Sequence, residues 1–393
     1  MNENKATTSA LEAAQAVLES RVRRSISFGR VERLDSPHTV LRAVVHGGEG
    51  LPESIVIKQL PPEARFGARK RAMSEWAGLE FSGAIAGAVE FAPRFLGGDA
   101  DKLLIILEDL GDAPSLDHIL RHGDRAAARQ TLLDYGDFLG EFHGAAAGRE
   151  LVFMSIQQRL KAETPPNDSS IDIRDRLAQF RAAFSPLNVR LDAVQDEITA
   201  ASAAMHDAHP YRTFQHHDAG PHNILVTEKG LRLVDFEFAQ FDNALLDMTA
   251  VRLAFPPFGK GRLLPAEAIE GFENSYRQAV SRAIPEMAED EFYQLTVEQA
   301  CVQWIVSKTA GLGESLYPVL VRNDLGENPD PGRIERVKEH RNLCFMWITA
   351  YLHWFGNRAR LPHTRDAIRR LADEIQEWNP LVEDAGMYGA FAS

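Results

Sequence analysis

The chain has 393 residues, 45% of them hydrophobic and 25% charged, with a formal net charge of −13. This length is too great for one small domain and suits two, and the composition is that of an ordinary globular protein. The acidic balance counts against a nucleic-acid partner, which would want a basic face. No run of about 18 apolar residues occurs, which argues against a membrane span.

The first 24 residues lack the apolar core of a secretory signal. The only two cysteines, Cys301 and Cys344, sit in apolar, helix-like surroundings. Both features predict a cytoplasmic protein with buried thiols and no disulfide. The negative charge would also suit a cationic substrate, with Glu286 to Glu291 contributing, but solubility is the stronger account of it.

Helical spacing over residues 11–24 predicts a leading helix. Strand patterns follow over 26–34, 39–46 and 54–58, separated by Asp35-Ser36-Pro37-His38 and by the Gly-rich turn 47–50. A helix over 64–86 and strands over 95–97 and 103–107 complete a five-stranded antiparallel sheet carrying one long helix. The strand pattern stops at Glu108-Asp109-Leu110-Gly111. Helices are predicted over 115–121, 125–147 and 174–207, with an exposed loop over 163–172. After residue 240 the chain is again helical, interrupted by loops near 256–264 and 323–331. The fold class is therefore α+β. Residues 1–110 would form a first, β-rich lobe and residues 111–393 a larger helical lobe.

The most informative stretch is 216–235, which holds Asp218, Asn223 five residues on and Asp235 twelve beyond that. Ile224, Leu225 and Val226 form one apolar run, and Leu231, Leu233 and Val234 another, with Thr227 to Gly230 between them. A Gly closing such a loop supplies the positive φ that a short hairpin needs. Folding about Lys229 brings Asn223 across from Asp235, about 5 Å away, close enough to share a magnesium ion. Magnesium takes hard oxygen donors, few of them from protein when a nucleotide supplies the rest. Asp218 just upstream is placed to accept a proton from a hydroxyl, the chemistry of phosphoryl transfer.

Lys58 ends the strand 54–58 and could pair with phosphates and with a carboxylate on the next helix, Glu75 or, less favourably placed, Glu80. The spacing of His216, His217 and His222 fits no common zinc pattern, so His216 is expected to brace the loop by hydrogen bonding. Asp247, polar within an apolar stretch, is expected to cap a helix and contact the same loop.

The pattern His216-x-Asp218-x4-Asn223, then Asp235-Phe236-Glu237, then Leu246-Asp247-Met248 resembles the aminoglycoside phosphotransferase and choline kinase-like enzymes, small-molecule relatives of the protein kinases. Lys58, Glu75 and Leu107-Glu108-Asp109-Leu110 extend the resemblance toward the N-terminus. It implies a two-lobed protein-kinase-like fold and a kinase using ATP or GTP with Mg2+. By resemblance Asp218 is the base, assisted by His216, and Asn223 and Asp235 are the metal ligands. Lys58 would be the phosphate-binding lysine paired with Glu75, and the backbone of Glu108, Asp109 and Leu110 would receive the adenine.

Two departures stand out. His217 replaces the family's usual glycine, putting a bulky residue beside the base. The loop Leu34 to Thr39 has no glycine, so phosphates would fall to Ser36, Thr39 or backbone amides. No activation segment ending in Pro-Glu follows Asp235, which disfavours a protein substrate. The acceptor would be an aminoglycoside-like antibiotic, amino alcohol, sugar or similar metabolite, held by residues 174–207 and the helices after 265. The protein would be a monomer or homodimer. A nucleotide-binding pseudokinase with a regulatory or scaffolding role is the alternative.

Overall fold

The computed structural model describes residues 3–34, 36, 38–61, 67–165, 172–207, 211–255, 262–380 and 386–392. The chain divides into two compact units. The first comprises Met1–Ser115, Arg149–Pro166 and Asn223–Gln240; the second comprises Leu116–Gly148, Asn167–His222 and Phe241–Ser393.

The first unit opens with α1 (Glu3–Val22), longer toward the N-terminus than its sequence pattern suggested. Its buried stripe is Ala10, Ala14 and Leu18, a four-residue spacing on one face. Alanines carry much of that burial, and they weigh little in a search for apolar periodicity. Arg23, at φ +55°, ends the helix.

The strands are β1 (Ser27–Arg33), β2 (Thr39–His46), β3 (Ser54–Gln59), β4 (Phe95–Asp99) and β5 (Leu104–Glu108), in the spatial order β1-β2-β3-β5-β4. Every pairing is antiparallel. Ile55 and Ile57 are buried in a cluster with the α1 stripe, Leu41, Ala43 and Ile106. Strand alternation then sends Lys58 to the opposite face of the sheet.

Helix α2 (Ala68–Ile85) follows β3; residues 64–66 of the predicted helix lie outside the described residues. Asp35 and Pro37 of the predicted nucleotide loop do too. Within α2, Glu75, Gly78, Leu79 and Ser82 are all buried, one stripe at i, i+3, i+4 and i+7.

Two later segments belong to this unit. The predicted hairpin forms from β7 (Ile224–Thr227) and β8 (Gly230–Leu233). Thr227 pairs with Gly230, so the connection is the two residues Glu228 and Lys229, shorter than the four-residue loop expected. Gly230 takes φ +105°. Helix α5 (Glu150–Leu160) had no counterpart in the sequence reading. It buries Phe153 and Ile156 while Leu151, Val152 and Met154 stay exposed, so no clean apolar stripe marks it.

The second unit is mainly helical. It contains α3 (Leu116–His122), α4 (Arg125–Ala146), α6 (Leu177–Phe184), α7 (Leu191–His206) and α8 (Thr249–Leu253). Next come α9 (Ala266–Val280), α10 (Asp290–Leu312), α11 (Pro331–Phe355) and α12 (Pro362–Trp378). Short strands β6 (Arg212–Gln215) and β9 (Gln240–Asn243) pair with each other. The helix predicted over 174–207 is broken into α6 and α7. A 3-10 turn at Ser185–Leu187 and Asn188 at φ +52° separate them, as Pro186 cannot donate to a continuing helix.

Helices α4 and α9 approach closely at Gly140. A Cβ there would lie 2.6 Å from the Tyr276 carbonyl oxygen, so only glycine lets the two backbones meet. Most of the predicted loop 256–264, and residues 166–171 of the loop 163–172, lie outside the described residues. Both cysteines are buried and unbonded. Among the described residues, no helix is long and apolar enough to cross a membrane.

Candidate active site

In the first unit three predicted residues meet. The Lys58 Nζ lies 2.7 Å from Glu75 Oε2 and 2.5 Å from Asp235 Oδ1. The partner on α2 is thus Glu75; Glu80 instead accepts from the Trp76 indole and pairs with Arg159. Burial works against the Lys58 charge, but the Asp235 and Glu75 carboxylates more than offset it and raise its pKa above that of free lysine. Burial pushes Glu75 upward, with Lys58 pulling against it. Two carboxylates sharing one ammonium leave local negative charge in excess, which suits a further cation.

The hairpin register differs from the expected one by a single residue. Ile224 pairs with Leu233, and the Val234 amide donates to the Asn223 carbonyl at 3.0 Å. Asn223 therefore lies opposite Val234, and Asp235 is the next residue along. In a regular strand that slip would turn the side chain to the other face. Asp235 instead takes φ +70°, leaving the strand geometry just where its carboxylate turns to Lys58. Asn223 is buried, while the Asp235 side chain keeps 33% of its surface exposed. One amide oxygen and one accessible carboxylate suit a hard divalent ion whose remaining ligands come from elsewhere. No group of three or more His, Cys, Asp or Glu able to hold a metal occurs among the described residues.

Sequence reasoning missed the groups around this triad. Phe236 is fully buried, and a Cβ at Gly78 of α2 would lie 2.7 Å from the Phe236 Cβ. Glu237 is paired with Arg71, and the Arg71 Nη2 is also 3.4 Å from the His38 Nε2. Burial and the nearby Asp235 push the Glu237 carboxyl upward against the pull of Arg71. The available signal was positional: Arg71 is one helical turn before Glu75, and Glu237 is two residues after Asp235.

Gly78→Ala is a direct test of this packing. Alanine favours the helix by about 1 kcal/mol, but overpacking against Phe236 costs roughly 1–3 kcal/mol. The expected result is a lower Tm; a raised Tm would show that Phe236 does not require the glycine.

The predicted hinge is held by side chains. The Glu108 carboxylate accepts from the Arg94 amide at 3.2 Å. Asp109 accepts from Ser54 Oγ at 2.7 Å and pairs with Arg42 at 3.0 Å, so its carboxylate is occupied structurally. The Glu108 amide is bonded to the Arg94 carbonyl. Among the described residues, nothing accepts from the Leu110 amide. A cavity of 590 Å³ borders Glu108 to Pro114 and the 226–229 turn, but neither Lys58, Glu75 nor Asp235 lines it. Ser36 accepts the His38 amide at 3.1 Å, a local turn, and Thr39 is already within β2, opposite Gln59.

In the second unit the loop bearing Asp218 is fixed by its backbone. The Asp247 carboxylate accepts the amides of His216 and His217, each at 2.8 Å. It does not cap a helix start; Asn243 takes that role for the turn Ala244–Leu246. Burial would raise the Asp247 pKa, but His143 and the neighbouring histidines overcome it and hold it below the usual range. His143 lies 3.4 Å from Asp247 and 2.9 Å from the Tyr276 hydroxyl. The Tyr135 hydroxyl donates to the Ala219 carbonyl at 2.9 Å.

His216 is fully buried, and the bond from its amide to Asp247 braces the loop through the backbone. His217 does not crowd the surface beside Asp218. It takes φ +58°, the conformation glycine adopts most easily, and its ring is buried 3.7 Å from the Asp242 carboxylate. Asp218 itself is half-buried, 3.9 Å from the His222 ring.

Two cavities of the second unit, 680 and 500 Å³, share Arg252 and Trp354 in their walls. Their linings come from α8 to α11 and nearby loops, and neither includes a residue of 174–207. Arg252 is buried, bonded to Glu273 through two nitrogens.

A model described as the phosphotransferase enzyme family matches residues 80–288. That span contains Asp218, Asn223 and Asp235 and stops short of Lys58 and Glu75. The chain is also similar to three solved structures. One is choline kinase LicA from Streptococcus pneumoniae, with 13% identity over 82% of this chain and 95% of that one, and a TM-score of 0.40. The second is macrolide 2'-phosphotransferase MphH from Brachybacterium faecium, with 15% identity over 90% and 98%, and a TM-score of 0.41. The third is choline kinase from Cryptosporidium parvum, with 14% identity over 88% and 93%, and a TM-score of 0.46. No curated protein matches the chain in sequence.

Proposed function

The chain belongs to the phosphotransferase enzyme family, and we propose that it transfers the γ-phosphate of ATP or GTP to a hydroxyl of a small molecule. The observation that carries this reading is the buried Lys58 held between Glu75 and Asp235. A lysine fixed by two carboxylates is a preorganised cation, and phosphoryl transfer depends on positioning and charge stabilisation more than on covalent chemistry.

In this reading Asn223 and Asp235 hold Mg2+, which would neutralise charge on the phosphates. Lys58 binds the phosphate chain, and the free Leu110 amide, with the backbone of Glu108 and Asp109, receives the base. Asp218 orients the acceptor hydroxyl and takes its proton late in the transfer. His216 supports that role through its amide bond to Asp247.

The test is to incubate the protein with Mg2+ and γ-labelled ATP or GTP alongside aminoglycosides, amino alcohols, sugars and homoserine-like compounds. A labelled, phosphorylated acceptor is the expected product. Nucleotide binding without turnover on any acceptor would instead support a non-catalytic nucleotide-binding role.

A further inference from the structure

The loop between β1 and β2 has no glycine to let its backbone wrap a phosphate. Ser36 is engaged with the His38 amide, and Thr39 is part of β2. A different pair of residues in the same unit is better placed. Arg71, on the first turns of α2, sits between the Glu237 carboxylate and the His38 ring. Its side chain is only 12% exposed, so a guanidinium is held ready rather than searching solvent.

Among the described residues, the buried His38 Nδ1 has no hydrogen-bond partner, an uncommon state for a buried polar atom. The other ring nitrogen, Nε2, lies 3.4 Å from the Arg71 guanidinium. Arg71 is one helical turn before Glu75 on α2, and its partner Glu237 is two residues after Asp235, so this second group is joined through the chain to the Lys58 triad.

We propose that Arg71 and His38 replace the missing glycine loop, binding the phosphate chain of the nucleotide together with Lys58. Arg71 offers the two-pronged donor geometry that phosphate oxygens favour, and His38 offers a ring N–H. Glu237 pairs with the guanidinium, and phosphate oxygens would share it. This inference rests on the reading of the first unit as a nucleotide site.

The test compares binding of ATP, ADP and AMP, each with Mg2+, to the wild type, Arg71→Ala, Arg71→Lys and His38→Ala by calorimetry, with Tm measured for each protein. Arg71→Ala should weaken ATP and ADP at least about 10-fold, equivalent to 1.4 kcal/mol, and leave AMP unchanged. Arg71→Lys should recover part of that loss, and His38→Ala should weaken ATP several-fold. Equal losses for ATP and AMP would mark Arg71 as merely structural and overturn the proposal, as would unchanged ATP binding. Should the wild type bind none of the nucleotides, the nucleotide site itself would be refuted. Lys58-dependent ATP binding insensitive to Arg71 and His38 would refute only the present inference.

Discussion

Asp218→Asn is expected to lower phosphoryl transfer by about 10²–10⁴-fold, the span associated with loss of a general base, while leaving nucleotide affinity within about threefold of wild type. The amide keeps the size of the carboxylate and can still orient a hydroxyl, but it cannot take up the proton. Structural collapse is not expected to confuse the result. The loop is fixed by the His216 and His217 amides on Asp247 and by Tyr135 on the Ala219 carbonyl, and these bonds do not involve the Asp218 side chain. Rates of ADP release with a working acceptor, with calorimetric nucleotide binding alongside, make the measurement. A variant that turns over at the wild-type rate would remove Asp218 from the base role, whatever the nucleotide does.

How much of this could be read from the chain differs between residues. Lys58 and Glu75 were legible as a pair because a charged residue ending an apolar strand needs a partner, and the next helix offers few. The pairing is present in the structure. The 224–233 hairpin was legible from its two apolar runs and Gly230, but its register was not. The closing pair Thr227–Gly230 centres the turn between Glu228 and Lys229 and not on Lys229 itself, and this shifts Asn223 from Asp235 to Val234. Register depends on turn geometry, and four polar residues in a row do not reveal which two remain unpaired.

The return of residues 149–166 and 223–240 to the first unit was also hidden, since no local composition change marks either boundary. Arg71, His38 and Glu237 were each visible as ordinary charged or polar residues. Their convergence is a tertiary fact: residues 38, 71 and 237 lie far apart in sequence. Asp247 was rightly expected to contact the 216–222 loop and wrongly to cap a helix. An Asp before a helix reads as a cap by default, and only its buried surroundings show that two loop amides take its oxygens instead.

The second large effect is expected at Lys58. Lys58→Met removes the cation shared by Glu75 and Asp235 and leaves two carboxylates together, one of them buried. Breaking a buried ion pair by deleting one partner costs about 3–5 kcal/mol. The partial exposure of Asp235, 33%, lets water relieve some of that, so about 3 kcal/mol is the expected loss, or roughly 5–10 °C in Tm. Nucleotide affinity should fall as well, because the proposed phosphate contact disappears. These two effects separate in the double variant Lys58→Met with Glu75→Gln. Neutralising Glu75 removes the uncompensated buried charge and should recover most of the Tm, since an amide of equal size fills the same space. It restores no cation, so ATP affinity should stay at the level of the single variant. Recovery of both properties together would mean that Lys58 serves only to neutralise Glu75, and the phosphate-binding role would then pass to other groups. Failure of the Tm to recover would instead place the structural dependence on Asp235, whose φ of +70° leaves its segment reliant on the lysine for its conformation.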